Sequence, residues 1–158
     1  MKTLIVYVSV HHGNTEKVAK VIANILDATL LEVKQANAGM LEQYDLVGFG
    51  SGIYFGKHHK SLLDFVDRLS MFKNKKALVF STSGLRKMPF IHNFDKRLKE
   101  KLQRKGFDII GEFSCRGLDT YRATRVVGGI NKGRPNAEDL RQVEDFASGL
   151  KNSGASHL

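Results

Sequence analysis

The stretch that most constrains this chain is the apolar run Leu4-Ile-Val-Tyr-Val8 leading into Ser9-Val-His-His-Gly-Asn-Thr15. After it, Val18, Ala19, Ile22, Ile25 and Leu26 recur at helical spacing from Thr15 to Leu26. A buried strand, a short polar turn and a helix start in succession leave backbone N–H groups pointing out of a helix N-terminus. Those groups lack intrahelical partners, and the helix dipole adds partial positive charge. Such a turn is built to receive an anion, a phosphate above all. The alternative is a capped helix start with no ligand.

The same alternation continues along the chain. Strand-like segments are expected at Lys2–Val8, Thr29–Val33, Leu46–Gly50, Ala77–Phe80 and Ile109–Cys115. Helices are expected at Thr15–Leu26, Ser61–Met71, Phe90–Arg104 and Ala137–Leu150, with a weak helix or turn at Ala38–Gln43. Gly106 is a helix stop, and Asn136 after Pro135 is an N-cap signal. The expected architecture is α/β: a three-layer sandwich around a parallel sheet, helices on both faces. Residues 1–150 form one domain in this reading, and 151–158 a polar tail. Right-handed crossovers collect the strand-to-helix loops along one sheet edge, where ligands bind. Ser9–Thr15, Ser51–His59, Ser81–Met88 and Cys115–Arg134 belong to that edge.

Composition narrows the class. At 158 residues the chain is long enough for one substantial core. No apolar run approaches the roughly 20 residues that span a bilayer. The N-terminus enters a strand without signal-peptide architecture, and the single cysteine, Cys115, cannot form an internal disulfide. A cytoplasmic protein is the expectation. The net charge of +9 is uneven: residues 1–85 carry +3, residues 86–134 carry +8 and residues 135–158 carry −2. Nucleic acid, an anionic membrane surface and an acidic protein or ligand all answer such a bias. No nucleic-acid reader module is recognisable, so nucleic acid is not expected as a partner.

The loops narrow the ligand. In the first, Ser9, Asn14 and Thr15 are donors, and Gly13 permits close backbone approach. No Lys follows the Gly and no carboxylate is placed to hold Mg²⁺, which argues against a Walker-type site. The Gly-X-Gly-X-X-Gly fingerprint is missing from this turn, and no acidic cluster marks a phosphoacceptor receiver. The second loop, Gly50-Ser-Gly-Ile-Tyr-Phe-Gly-Lys-His-His59, combines three glycines with Tyr54 and Phe55, which suits a flat ring. Core packing of the two aromatics is the plainer alternative. The third, Ser81-Thr-Ser-Gly84, offers hydroxyls and amides to the polar edge of a heterocycle, with Arg86 and Lys87 beyond. The pairs His11-His12 and His58-His59 invite a metal, but adjacent residues do not readily ligate one ion, and no metal is expected. Cys115 reads as a small buried hydrophobe, with a reactive thiol beside Arg116 as the alternative.

These loops together resemble the flavodoxin family, over residues 1 to about 115 and more loosely in the last helix. Gly13-Asn14-Thr15 matches the end of that family's phosphate loop, while His11 and His12 replace its usual Ser/Thr hydroxyls. The Ser-X-X-X-Gly-X-Thr spacing and the Gly50–His59 run are also similar to quinone-dependent protoporphyrinogen oxidases of flavodoxin type. The resemblance implies a five-stranded parallel sheet of order 2-1-3-4-5 and FMN as cofactor. It assigns Ser9, His11, His12, Gly13, Asn14 and Thr15 to the phosphate. Ser51, Gly52, Ile53, Tyr54, Phe55 and Gly56 would run along the isoalloxazine, a backbone group between Gly52 and Phe55 near flavin N5. Ser81, Thr82, Ser83 and Gly84 would meet the pyrimidine edge. The implied function is electron transfer with a redox partner protein. The alternatives are an FMN oxidoreductase acting on a tetrapyrrole or quinone, and a non-redox binding module. The family tends to be acidic and this chain is basic, so an acidic partner or a small anionic substrate is expected. A less negative second-electron potential is expected too, from His58, His59, Arg86 and Lys87.

Overall fold

In the computed structural model, residues 1–10, 12–83, 94–116 and 134–155 are described. Strand β1 (Thr3–Val8) is followed by α1 (Asn14–Leu26), β2 (Thr29–Glu32) and a 3₁₀ turn (Ala38–Gln43). Then come β3 (Leu46–Tyr54), β4 (Lys57–His58), α2 (Lys60–Asp67), β5 (Lys75–Ser83), α3 (Lys96–Arg104), β6 (Phe107–Arg116) and α4 (Ala137–Ala155). The main strands are parallel in the order β2-β1-β3-β5-β6. That is the expected five-strand order, with β4 added as a short antiparallel partner of β3.

Alternation along the strands builds the two cores. On one face Leu4, Val6, Val47, Phe49, Ala77 and Val79 pack against Leu62, Phe65 and Val66 of α2 and Leu98 and Leu102 of α3. On the other, Ile5, Tyr7, Leu78 and Phe80 meet Val18, Ala19 and Ile22 of α1 and Val143 and Ala147 of α4. Both faces of β1 are therefore covered, which is why Thr3–Val8 is buried throughout. At about 25 cal/mol per Å² of apolar surface, each buried Leu, Ile or Phe contributes about 2 kcal/mol.

Several boundaries differ from the sequence expectation for local reasons. Helix α2 stops at Asp67, not Met71, because Lys105 Nζ takes up the Asp67 and Leu69 carbonyls at 2.9 and 2.6 Å. Helix α3 begins at Lys96; the expected start at Phe90 lies outside the described residues. It ends at Gly106, whose φ of +84° and closeness to the Phe72 carbonyl exclude a side chain. Helix α4 continues through Ala155, so most of the expected tail is helical. Its start carries a reciprocal cap: Asp139 N–H donates to Asn136 Oδ1, and Asn136 N–H to Asp139 Oδ2. No helix among the described residues is long and apolar enough to cross a membrane.

Candidate functional site

The C-terminal ends of the strands lie side by side in register. Val8, Ser51, Ser81 and Ser114 form one row across β1, β3, β5 and β6. Gly52, Thr82 and Cys115 form the next. The loops read from the sequence as ligand-binding leave the sheet from this edge.

The first loop is shaped by its backbone. His12 and Gly13 both have left-handed φ, +58° and +65°, and turn the chain sharply into α1. Gly13 is the N-cap residue and, having no side chain, supplies no side-chain cap. Asn14 and Thr15 are buried at the head of the helix. The Thr15 hydroxyl is 2.8 Å from that of Thr82, tying the first loop to the third. Glu16 lies in the same turn, but its carboxylate is paired with Lys20 at 2.6 Å. His12 is exposed; His11 lies outside the described residues.

The second loop is not the open glycine-rich loop expected. Strand β3 runs on through Ser51-Gly-Ile-Tyr54 and folds back as β4, pairing Ile53 with His58 and Tyr54 with Lys57. The two turn residues, Phe55 and Gly56, have φ of +51° and +74°, the signature of a tight two-residue hairpin. A two-residue turn with Gly second, flanked by Ile53-Tyr54 and Lys57-His58, was the signal available in the sequence. Tyr54 folds back over Gly52, where an added Cβ would lie 2.9 Å from its hydroxyl. That hydroxyl bonds the Val10 backbone amide, which joins the second loop to the first. Burial raises the Tyr54 pKa above the usual phenol value, and the Val10 bond opposes the rise. Phe55 is 80% exposed at the hairpin tip.

Beneath the hairpin runs a buried polar chain that the sequence did not reveal. Ser51 Oγ is 2.8 Å from His58 Nδ1, and His58 Nε2 is 2.7 Å from Asp95 Oδ1. The side chains of His58 and Asp95 are wholly buried. The Ser51 hydroxyl donates to the Gly52 carbonyl at 2.8 Å and accepts the His59 N–H at 3.0 Å. The order Ser–His–Asp is that of a hydrolytic triad. Here the serine has no solvent exposure, so its hydroxyl is not presented to a substrate. The chain is a lock: it fixes β3 to β4, and the hairpin to the residue preceding α3. Asp95 is the N-cap residue of α3, yet its side chain makes no capping bond.

His59 caps α2. Its Nδ1 accepts from the Ser61 N–H at 3.2 Å and lies 2.7 Å from Ser61 Oγ, which leaves the ring proton on Nε2. Burial lowers its pKa below 6.5, and its ring meets Tyr54 edge to face at 5.3 Å. Neither histidine is thus a free cation at the hairpin, one being neutral and the other paired with Asp95. Arg86 and Lys87 lie outside the described residues.

In the third loop Ser81, Thr82 and Ser83 continue β5 and are buried. The Ser81 hydroxyl donates to Ser114 Oγ at 3.1 Å, so its side chain stitches β5 to β6. Ser51 and Ser81 therefore face the site with their backbone; Gly84 and loop 117–133 fall outside the described residues. Cys115 sits in the core between β6, α1 and α4. Burial pushes its thiol up to about 12, with Asp139 adding to the rise and Arg134 opposing it. Among the described residues no group of three His, Cys, Asp or Glu side chains is placed to hold a metal.

The edge thus sets a glycine-led helix start beside a tight hairpin.

The chain is 50% identical, over 96% of its own length and all of the relative's, to a protein of Methanocaldococcus jannaschii described as uncharacterized. Its fold is similar to oxidised flavodoxin 2 from Bacillus cereus, with a TM-score of 0.72 at 21% identity, covering 97% and 99% of the two chains. It is also similar to rubredoxin oxygen:oxidoreductase from Desulfovibrio gigas, with a TM-score of 0.68 at 19% identity. That match covers 96% of this chain and 36% of the larger one. The family profile described as a flavodoxin domain matches residues 4–121, and the chain belongs to the flavodoxin domain family.

Proposed function

We propose that this protein binds FMN at the C-terminal sheet edge and uses it to transfer electrons. The observation that carries the reading is the pairing of a Gly13-led helix start with the Ser51–His58 hairpin on the same edge. The amides of Asn14, Thr15 and Glu16 suit a phosphate monoester without a metal. Beyond the phosphate, the Gly52–Gly56 backbone offers N–H and C=O groups to the ring. At Gly56 an added Cβ would meet nothing within 4 Å, so the turn is open to a flat neighbour. Ser83 and Thr82 approach from β5, where Thr15 already meets the Thr82 hydroxyl. The bound flavin supplies the electron-accepting chemistry. The chain positions it: Tyr54 holds the first and second loops together, and the Ser51–His58–Asp95 lock keeps the hairpin from drifting. Membership of the flavodoxin domain family and the likeness to flavodoxin 2 support the same assignment.

Purified protein with a flavin spectrum that releases FMN, and not FAD or riboflavin, bears the reading out. A colourless protein that leaves added FMN free at micromolar concentration overturns it. If FMN binds but turns over protoporphyrinogen or a quinone without passing electrons to a carrier protein, the cofactor stands and the carrier role falls.

A further inference from the structure

A groove of about 530 Å³ opens beside the hairpin, between the Gly56–Lys57 turn and α3. Lys57, Lys96, Arg97, Lys101 and Arg104 line it against one carboxylate, Glu100. Arg97, Lys101 and Arg104 stand at i, i+4 and i+7 and so share one helix face about 10 Å long. Few of these charges are neutralised locally. Lys57, Arg97 and Arg104 have no ion-pair partner among the described residues. Lys96 reaches Glu100 only at 3.9 Å and in solvent. Lys101 is tied to Asp67 at 2.5 Å. Phe55, the chain neighbour of the lining residue Gly56, is exposed at the hairpin tip.

We infer that this groove is the docking surface for an acidic protein partner. Its charge excess is carried on long side chains strung along two helical turns, those of Lys57, Lys96, Arg97 and Arg104 exposed and that of Lys101 half-buried. Among the described lining residues no buried polar group converges on one point, as a small anion would require. An exposed aromatic beside a cationic strip is the anatomy of a protein interface, an apolar anchor with a charged rim. Glu100, in the middle of the strip, opposes a nucleic-acid backbone and gives register to a mixed acidic surface. The placement also gives the contact a use. Gly56 and Lys57 line the groove, while Ser51–Phe55 of the same hairpin border the proposed flavin site. A partner seated here touches the element nearest the flavin. What passes between the two rests on the proposed function; the docking itself does not.

The test uses the isotopically labelled full chain and, as probe, a small iron–sulfur electron carrier rich in Asp and Glu. Amide shifts are expected at residues 55–57 and 94–104. Affinity should fall at least tenfold in the Arg97→Glu/Arg104→Glu double variant, and about as much between ~10 mM and ~150 mM salt. The milder Arg97→Gln/Arg104→Gln variant should show a smaller loss of the same kind, which guards against a folding defect. Lys76→Glu, at the opposite end of β5, should change affinity less than twofold. Shifts centred elsewhere, an unaffected double variant, or an equal loss in Lys76→Glu overturns the proposal. So does a single-stranded oligonucleotide or citrate that fills the groove at lower concentration than the carrier. The flavin spectrum of the same samples is read separately. Docking without FMN leaves this surface standing and removes the cofactor reading; FMN without docking does the reverse.

Discussion

The first loop and the hairpin sit side by side on one sheet edge, and they are built by opposite means. At the first loop the work is done by backbone: two left-handed residues, one of them a glycine N-cap. At the hairpin it is done by buried side chains, with Ser51, His58 and Asp95 sealed beneath the turn. A backbone cradle can change most of its side chains and keep its geometry. A side-chain lock cannot lose one member without breaking buried hydrogen bonds of the others. The edge therefore combines a site tolerant of sequence with a support that is not, and substitutions separate the two.

The largest effect is expected at the lock. Asp95→Ala leaves the His58 ring buried opposite a void, and breaking a buried pair of this kind costs about 3 to 5 kcal/mol. Urea denaturation reads it directly, and a loss below about 1 kcal/mol would show that the hairpin stands without the chain. Next comes Gly13→Val. A β-branched residue held at φ +65° stores about 1 to 2 kcal/mol of strain. The free loop relaxes away from that geometry and FMN must restore it, so FMN affinity should fall about tenfold while the urea midpoint moves little. A Gly13→Val protein that binds FMN normally would mean that the backbone turn is not the phosphate cradle.

The smallest effect is a pH dependence at His59, whose neutral ring caps α2. Its folded pKa lies below the unfolded value of 6.5, so at mildly acid pH the unfolded chain binds more protons than the folded one. The stability it contributes is complete above pH 6.5 and is lost as pH falls through the lowered folded pKa. His59→Asn keeps a capping side chain but does not titrate. Its urea midpoint should fall less than wild type's between pH 7 and pH 5; an identical fall would assign the dependence to other groups.

The layers of this fold were legible because both faces of the sheet are covered, which makes runs such as Leu4–Val8 apolar throughout. The first loop was legible for a related reason: a strand, a glycine and an amphipathic helix are adjacent in the chain. The strand was expected to stop at Gly50, with loop from Ser51 to His59, whereas β3 runs on to Tyr54. Within β3 its glycines are spaces, Gly50 filled by the Phe80 ring and Gly52 by Tyr54. The lock had no local signal. His58 and Asp95 are 37 residues apart, Thr15 and Thr82 are 67 apart, and only the crossovers bring them together. His58 and His59, read from the sequence as charge near a flavin, are one buried member of a chain and one helix cap.

Cys115 carries a practical consequence. It is the only thiol in the chain, and with its ionisation held near 12 inside the core it presents no thiolate to an alkylating reagent at neutral pH. The native protein is thus a silent background for site-directed labelling. Cysteines placed together at Lys57 and Arg104 would take a pair of spin or fluorescent probes without first removing the natural one, and the distance across the groove could be measured in the unaltered core.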